Sequence, residues 1–255
     1  MGTGARTGPN AGMVSASARR ARPKGLAPTI ARAIRWLIFA ALIGAAAIVG
    51  LALLYGAAAP VSTLMLGRWL TGQAVERTSV PLEAISPHLP LAVIASEDSR
   101  FCNHGGVDWD AIRTVVEEAD EDGPARGAST IPMQTAKNLF LWPSRSYVRK
   151  GLELPLALML DAIWTKRRTM ENYLNVAEWG EGVFGAEAAA RRHFGKSARD
   201  LSRREAALLA TALPNPLRRH PGKPSRGHRS LAGKIEARMS ASGPIDGCLR
   251  RERGL

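Results

Sequence analysis

The 255-residue chain has room for one folded domain of ordinary size with tails, and its 45% hydrophobic, 22% charged and 5% aromatic content excludes collagen-like, wholly disordered and disulfide-dense classes. Its net charge of +13 is unevenly spread: residues 1–35 carry seven bases and no acid, residues 222–255 eight bases against three acids, and residues 36–221 hold 20 bases and 19 acids. A phosphate-tracking face belongs on the folded part, which is nearly neutral and has neither zinc-finger spacing nor an aromatic RNP pattern, so nucleic acid is not an expected partner.

In chain order, residues 1–35 read as a basic, disordered cytoplasmic arm rich in Gly, Pro, Ser and Arg. From Trp36 to Gly67 there is no charged residue, a run of 32. About 20 apolar helical residues cross a ~30 Å hydrocarbon layer, so a single transmembrane helix is placed at 36–59. The run is too long for a cleaved signal peptide, which favours an uncleaved anchor. Arg19, Arg20, Arg22, Lys24, Arg32 and Arg35 precede it, and the positive-inside rule then keeps the N-terminus cytoplasmic and exports the chain beyond about residue 60. Residues 60–84 form a juxtamembrane connector, 85–221 the folded domain, and 222–255 a basic, weakly ordered C-terminal tail.

The folded segment shows helix punctuation and almost no strand alternation, which predicts a mainly α domain. Ser86-Pro87 opens a short apolar run, Leu89 to Ala95, that delivers Glu97 and Asp98 at its far end. Asp108 caps a helix through Trp109, Ile112, Val115 and Val116. Glu117 to Gly127 reads as a mobile loop. Ser129 or Thr130 caps the next helix, with Pro132 in its first turn. Ser146 opens a long apolar helix to about Trp164, which Pro155 is expected to kink. Ser202 and Glu205 form a capping box before Ala206 to Leu213, and Pro214 stops that helix. Cys102 and Cys248 make at most one bridge and supply too few ligands for a metal site.

Two clusters could carry chemistry. In Arg149-Lys150-Gly151-Leu152-Glu153 the carboxylate lies four residues from the guanidinium and three from the ammonium, so all three share a helix face. With Lys137 and Arg145 this makes four cations between 137 and 150, suited to an anionic ligand; the competing reading is a solvated surface ion pair. The second cluster is Glu97-Asp98, where a carboxylate partly withdrawn from water has the raised pKa that a general base for a sugar hydroxyl uses. Adjacent acids are otherwise ordinary loop residues. His104 reads as a backbone-bonding loop histidine, and Trp109, Trp142, Trp164, Tyr173, Trp179 and Phe184 as core or lipid-facing aromatics.

Taken together, these segments are more specific. Glu97-Asp98-Ser99-Arg100-Phe101-Cys102-Asn103-His104-Gly105-Gly106 resembles the EDxxFxxHxG signature of the peptidoglycan glycosyltransferases of the penicillin-binding protein type. GASTIPMQTAKNLFLW (Gly127 to Trp142), RKGLE (Arg149 to Glu153), KRRTMENYLNVAEWGEGVFGAEAAARRHFGK (Lys166 to Lys196) and LSRREAALLATALPNP (Leu201 to Pro216) come after it in the family order. The second block is similar to the monofunctional biosynthetic branch, which has an N-terminal anchor and no penicillin-binding domain. Departures are Met133, where many relatives have Gln, and Pro155.

The resemblance implies a lysozyme-like helical fold and polymerisation of lipid II into glycan strands, with β-1,4 bonds made by inversion and undecaprenyl diphosphate released. By carry-over Glu97 is the general base, Asp98 organises the site, and Glu153 is the second acid, on the pyrophosphate side. Lys137, Arg145, Arg149 and Lys150 face the leaving pyrophosphate, while Ser129, Thr130 and Gln134 line the same cleft. No cofactor is required, and a divalent cation, magnesium or manganese, is left open with Asp98 and Glu153 as its ligands. The implied partners are lipid II, the undecaprenyl-diphosphate-linked glycan and the bacterial inner membrane, with other cell wall synthesis or division proteins as further candidates. The catalytic domain is then periplasmic, and the Glu117 to Gly127 loop a gate over substrate. The alternatives are a lysozyme-like glycan-cleaving enzyme, which leaves the cations idle, and a non-catalytic membrane-anchored scaffold.

Overall fold

The computed structural model describes residues 1, 2, 4, 26–118, 128–144, 146–241 and 247–249. Arg145 and residues 119–127, most of the expected gate, lie outside the described residues.

Two compact units divide after Ala46. The first ends within helix α1 (Leu26–Tyr55), whose stretch Thr29–Tyr55 is long and apolar enough to cross a bilayer. Its side chains, Leu37 and Leu42 among them, stand exposed, as expected of a segment whose solvent is lipid. The helix begins well before residue 36 because Ala and Arg in the arm are good helix formers.

The second unit is mainly α. Helix α2 (Thr63–Leu70) starts on the side chain of Ser62, which accepts from the Met65 N–H. The elements α3 (His88–Glu97), α4 (Trp109–Glu117), α5 (Ile131–Phe140), α6 (Tyr147–Ile163), α7 (Lys166–Val176), α8 (Ala186–Phe194), α9 (Arg203–Ala212) and α10 (Arg226–Ala241) succeed it. A small sheet of β1 (Glu76–Arg77), β2 (Glu178–Gly180) and β3 (Val183–Phe184) has the order β1-β3-β2, with β1 parallel and β2 antiparallel to β3. Gly182 closes the β2–β3 turn at φ 72°, where a Cβ would meet the Ala74 carbonyl oxygen at 2.7 Å.

The capping signals hold. Asp108 accepts from the Ala111 N–H, Thr130 from Met133, and Ser146 from Arg149, while Ser202 and Glu205 cap each other. Each such cap is worth about 1 kcal/mol. Helix α6 runs through Pro155, the position expected to kink it. Met133, the residue where many relatives have Gln, packs into a small buried cluster with Val107 and Ala157.

The main core lies between α3, α9 and α10. Leu89, Ala92, Val93 and Ile94 of α3 meet an α9 built from Ala206, Ala207, Leu208, Leu209 and Ala210, whose small side chains let neighbouring helices approach closely. Residues 222–241 are therefore not part of a weakly ordered tail. Ala232, Ile235 and Met239 of α10 are buried in this core, and the buried His228 Nε2 lies 3.0 Å from both the Leu208 carbonyl and the Thr211 hydroxyl.

Cys102 and Cys248 form a disulfide across 146 residues, joining the turn after α3 to the short helix Gly247–Leu249. The Arg167 guanidinium adds a hydrogen bond to the Leu249 carbonyl. Closing so long a loop removes unfolded-state entropy worth up to ~4–5 kcal/mol. Reduction, or Cys248→Ser, is expected to lower the melting temperature by several degrees in thermal scans; an unchanged midpoint would show that α10 packing alone holds this end.

The C-terminal end of α1 is tied to the domain through its last carbonyls. The Trp164 indole N–H donates to the Ala52 carbonyl at 2.8 Å, and the Arg168 guanidinium donates to those of Tyr55 and Ala58. Asn172 adds a third donor to Tyr55. A cation on orphan carbonyls is the favourable arrangement at a helix C-terminus.

Candidate active site

Glu97 is the last residue of α3, and Asp98 caps that helix. The Glu97 carboxylate accepts from the Ser96 hydroxyl at 2.9 Å and from the Gln134 amide at 3.2 Å. Burial pushes its pKa above the usual glutamate value, with those hydrogen bonds and the positive charges of Lys137 and Arg219 acting in the opposite direction. Withdrawn from water yet still at the cleft surface, it has the properties of a general base.

Asp98 serves a different purpose. Its carboxylate accepts from the Ile131 N–H at 2.9 Å, at the first turn of α5, and lies 2.9 and 3.0 Å from His104 Nε2. An anion at a helix N-terminus is electrostatically favoured. Asp98 thus locks the end of α3, the His-Gly loop and the start of α5 together. His104 therefore bonds a carboxylate through its ring, not the backbone as expected of a loop histidine. Thr130 is occupied as the α5 cap and as a 2.6 Å donor to the Gly106 carbonyl, so it shapes the wall.

On α6, Arg149, Lys150 and Glu153 share one face as their spacing requires. The Glu153 carboxylate is only 2% exposed, which disposes of the solvated-pair reading. Arg149 donates to one of its oxygens and Lys150 to the other at 2.7 Å. Lys150 also reaches the Ser129 hydroxyl, and Arg149 Nε donates to the Ser144 carbonyl. Burial lowers the pKa of Lys137, and Arg149 and Lys150 lower it further; the attraction of Glu153 and then of Glu97 opposes this. Lys137 therefore feels both acids.

These groups line two depressions that share Gln134 and Pro214. The larger, about 920 Å³, holds Glu97, Asp98, Ser129 and Thr130, with Arg100 and Arg238 on its rim. The smaller, about 520 Å³, holds Lys137, Asn138, Arg149 and Trp142, with Tyr173 and Glu178 in its lining. Glu153 and Lys150 line neither; Glu153 stands behind Arg149, which does.

Several residues at this cleft escape sequence reasoning. Tyr173, expected as core, is buried but donates its hydroxyl to Gln134 Oε1 at 3.1 Å. Arg219, just beyond the last recognised block, acts on Glu97 and is held by the Thr211 carbonyl. Arg238 arrives on α10. No local spacing relates any of these to Glu97.

The residues present do not suit a divalent ion. The oxygens of Asp98 are turned to Ile131 and His104, and those of Glu153 are taken by two cations. Among the described residues no group of three or more His, Cys, Asp or Glu side chains converges.

Residues 64–240 match the family described as Transglycosylase. Three relatives each bear the name biosynthetic peptidoglycan transglycosylase. That of Agrobacterium fabrum is 59% identical over 190 residues, 74% of this chain and 84% of its own. That of Rhizobium meliloti is 54% identical over 218 residues, covering 86% and 92%. The Rhodospirillum centenum protein is 56% identical over 205 residues, covering 77% and 89%.

Proposed function

The chain belongs to the transglycosylase family and is a peptidoglycan transglycosylase, and from that premise we propose that it polymerises lipid II through Glu97 as general base against a cationic leaving-group site. The observation that carries this reading is a pair of adjoining depressions sharing Gln134 and Pro214, with a withdrawn carboxylate in one and Lys137 and Arg149 in the other.

The 4-hydroxyl of the acceptor GlcNAc lies against Glu97 and attacks the anomeric carbon of the donor MurNAc. As the new C–O bond forms, the hydroxyl proton passes to Glu97. The bond from that carbon to the diphosphate oxygen breaks, and its electron pair leaves on the phosphate. Attack opposite the departing group turns the α linkage into β-1,4. Lys137, Arg149 and Lys150 stabilise the charge developing on the leaving oxygen, which positioned cations in a cleft do far better than water. Arg145, outside the described residues, is assigned the same role by the family resemblance alone.

Retention-type glycan cleavage would need a second carboxylate free to act as nucleophile. Glu153 is buried and held at both oxygens, which weighs against that reading. The apolar α1 supports a membrane anchor, where a tethered catalyst meets lipid substrates in two dimensions. The Cys102–Cys248 bridge supports placing the domain on the oxidising, periplasmic side.

Labelled lipid II incubated with the purified enzyme should yield a ladder of glycan on a gel. Shortening of finished cell wall without any ladder would overturn the reading. The pH profile is a second check. The base must be ionised, so the rate should rise with pH through the raised value of Glu97. It should fall again as Lys137, lowered by burial, loses its proton. Lys137→Arg keeps its charge at any such pH and is expected to push the alkaline limb upward; a limb that stays in place assigns it to another group.

A further inference from the structure

We propose that Tyr173 is a positioning residue: its buried phenol holds the Gln134 side chain in the one orientation that presents an N–H to Glu97, and so fixes the base where it meets the acceptor hydroxyl. The proposal rests on the reading of Glu97 as the base.

The chain of contacts is short. Tyr173 Oη donates to Gln134 Oε1 at 3.1 Å, and Gln134 Nε2 donates to Glu97 Oε2 at 3.2 Å. An amide has one accepting and one donating end. Turned over, Gln134 would set its carbonyl oxygen against the Glu97 carboxylate, acceptor against acceptor. The phenol opposes that turn, since it supplies the carbonyl's donor on the half-buried inner side of the Gln134 amide. Tyr173 is 1% exposed, and burial with the neighbouring Glu97 and Asp98 charges pushes its pKa well above the ordinary phenol value, so it stays a donor over the working pH range. The rest of the ring packs beside Met170 and Leu174 of α7 in the main core, so one side chain links the rigid interior to the cleft. Phenylalanine would fill the same space. The hydroxyl therefore has a use that packing does not explain.

Tyr173→Phe is expected to lower the turnover rate about ten- to a hundredfold through loss of alignment. KM for lipid II and the melting temperature should stay near the wild-type values. A double-mutant cycle supplies the discriminating readout. If Tyr173 acts through Gln134, Tyr173→Phe changes nothing further in a Gln134→Leu background; losses that multiply overturn the proposal, as does a Tyr173→Phe enzyme with full turnover. A measurement on the folded wild type stands apart from any variant. In a ¹⁵N spectrum the Gln134 side-chain amide protons should exchange slowly with water, and exchange at the rate of a free, solvated amide overturns the fixed orientation. Glu97→Gln is assayed alongside. Retained polymerisation there removes the base assignment and this proposal with it. Loss there, together with multiplying losses in the cycle, removes only the role of Tyr173.

Discussion

Glu97→Gln is expected to lose polymerisation by roughly 10²–10⁴-fold, the usual contribution of a general base, while melting at a higher temperature than wild type at neutral pH. Both outcomes follow from the upward push that desolvation gives the half-buried carboxyl. A group whose folded-state pKa lies above its unfolded value favours the fold fully at pH below the unfolded value. That contribution is lost as pH rises through the folded value. At neutral pH the wild type therefore carries a charge that burial disfavours, against which Ser96 and Gln134 offer only partial relief. Glutamine has the same shape and no charge to bury. The gain should be clear in thermal scans near pH 7 and should vanish near pH 4, where the wild-type carboxyl is itself protonated. A variant that is inactive and less stable at pH 7 would mean that the carboxylate is there to be ionised for structure, and a fully active one would move the base elsewhere.

Local physics explains which parts of this arrangement the sequence makes legible. Caps at Asp108, Thr130, Ser146 and Ser202 are written within four residues of the groups they satisfy, and the structure uses all four. The Arg149, Lys150 and Glu153 cluster comes from helical geometry alone. The apolar run of α1 needs only a count. Helix α10 is hidden because its buried side chains, Ala232, Ile235 and Met239, are few and set among basic residues and glycines, so that it reads as a solvated tail. Its burial depends on the small residues of α9, which are about 25 positions away in the sequence. The disulfide joins residues separated by 146 positions, which no spacing rule reaches. Tyr173 looks like core because it is core, and only the direction of its hydroxyl connects it to Glu97. Each of these hidden features is a contact made by the tertiary fold.

Glu153→Gln should be the second most damaging change, and its effect separates the aiming of charge from the amount of charge. Glu153 is buried behind Arg149 and Lys150 and accepts from both. If the cluster mattered only for its net charge, removing the anion would leave the cleft more positive, and inorganic pyrophosphate would inhibit more strongly. The geometry leads to the opposite expectation. Arg149 is held between Glu153 and the Ser144 carbonyl, and Lys150 between Glu153 and Ser129, so the carboxylate is the shared pivot that sets where both cations point. Without it the two side chains repel and turn to water, and polymerisation should fall roughly 10²–10³-fold as transition-state stabilisation is lost. Breaking a buried pair costs about 3–5 kcal/mol when the remaining charge is trapped. Lys150 is 43% exposed and can turn outward, which places the cost at the lower end of that range. A loss of ~3 kcal/mol corresponds to about 6–12 °C for a domain of this size. Activity is therefore to be compared at a temperature well below both midpoints. Weaker pyrophosphate inhibition together with lower turnover supports the pivot; tighter inhibition with turnover intact would make Glu153 a mere counter-charge.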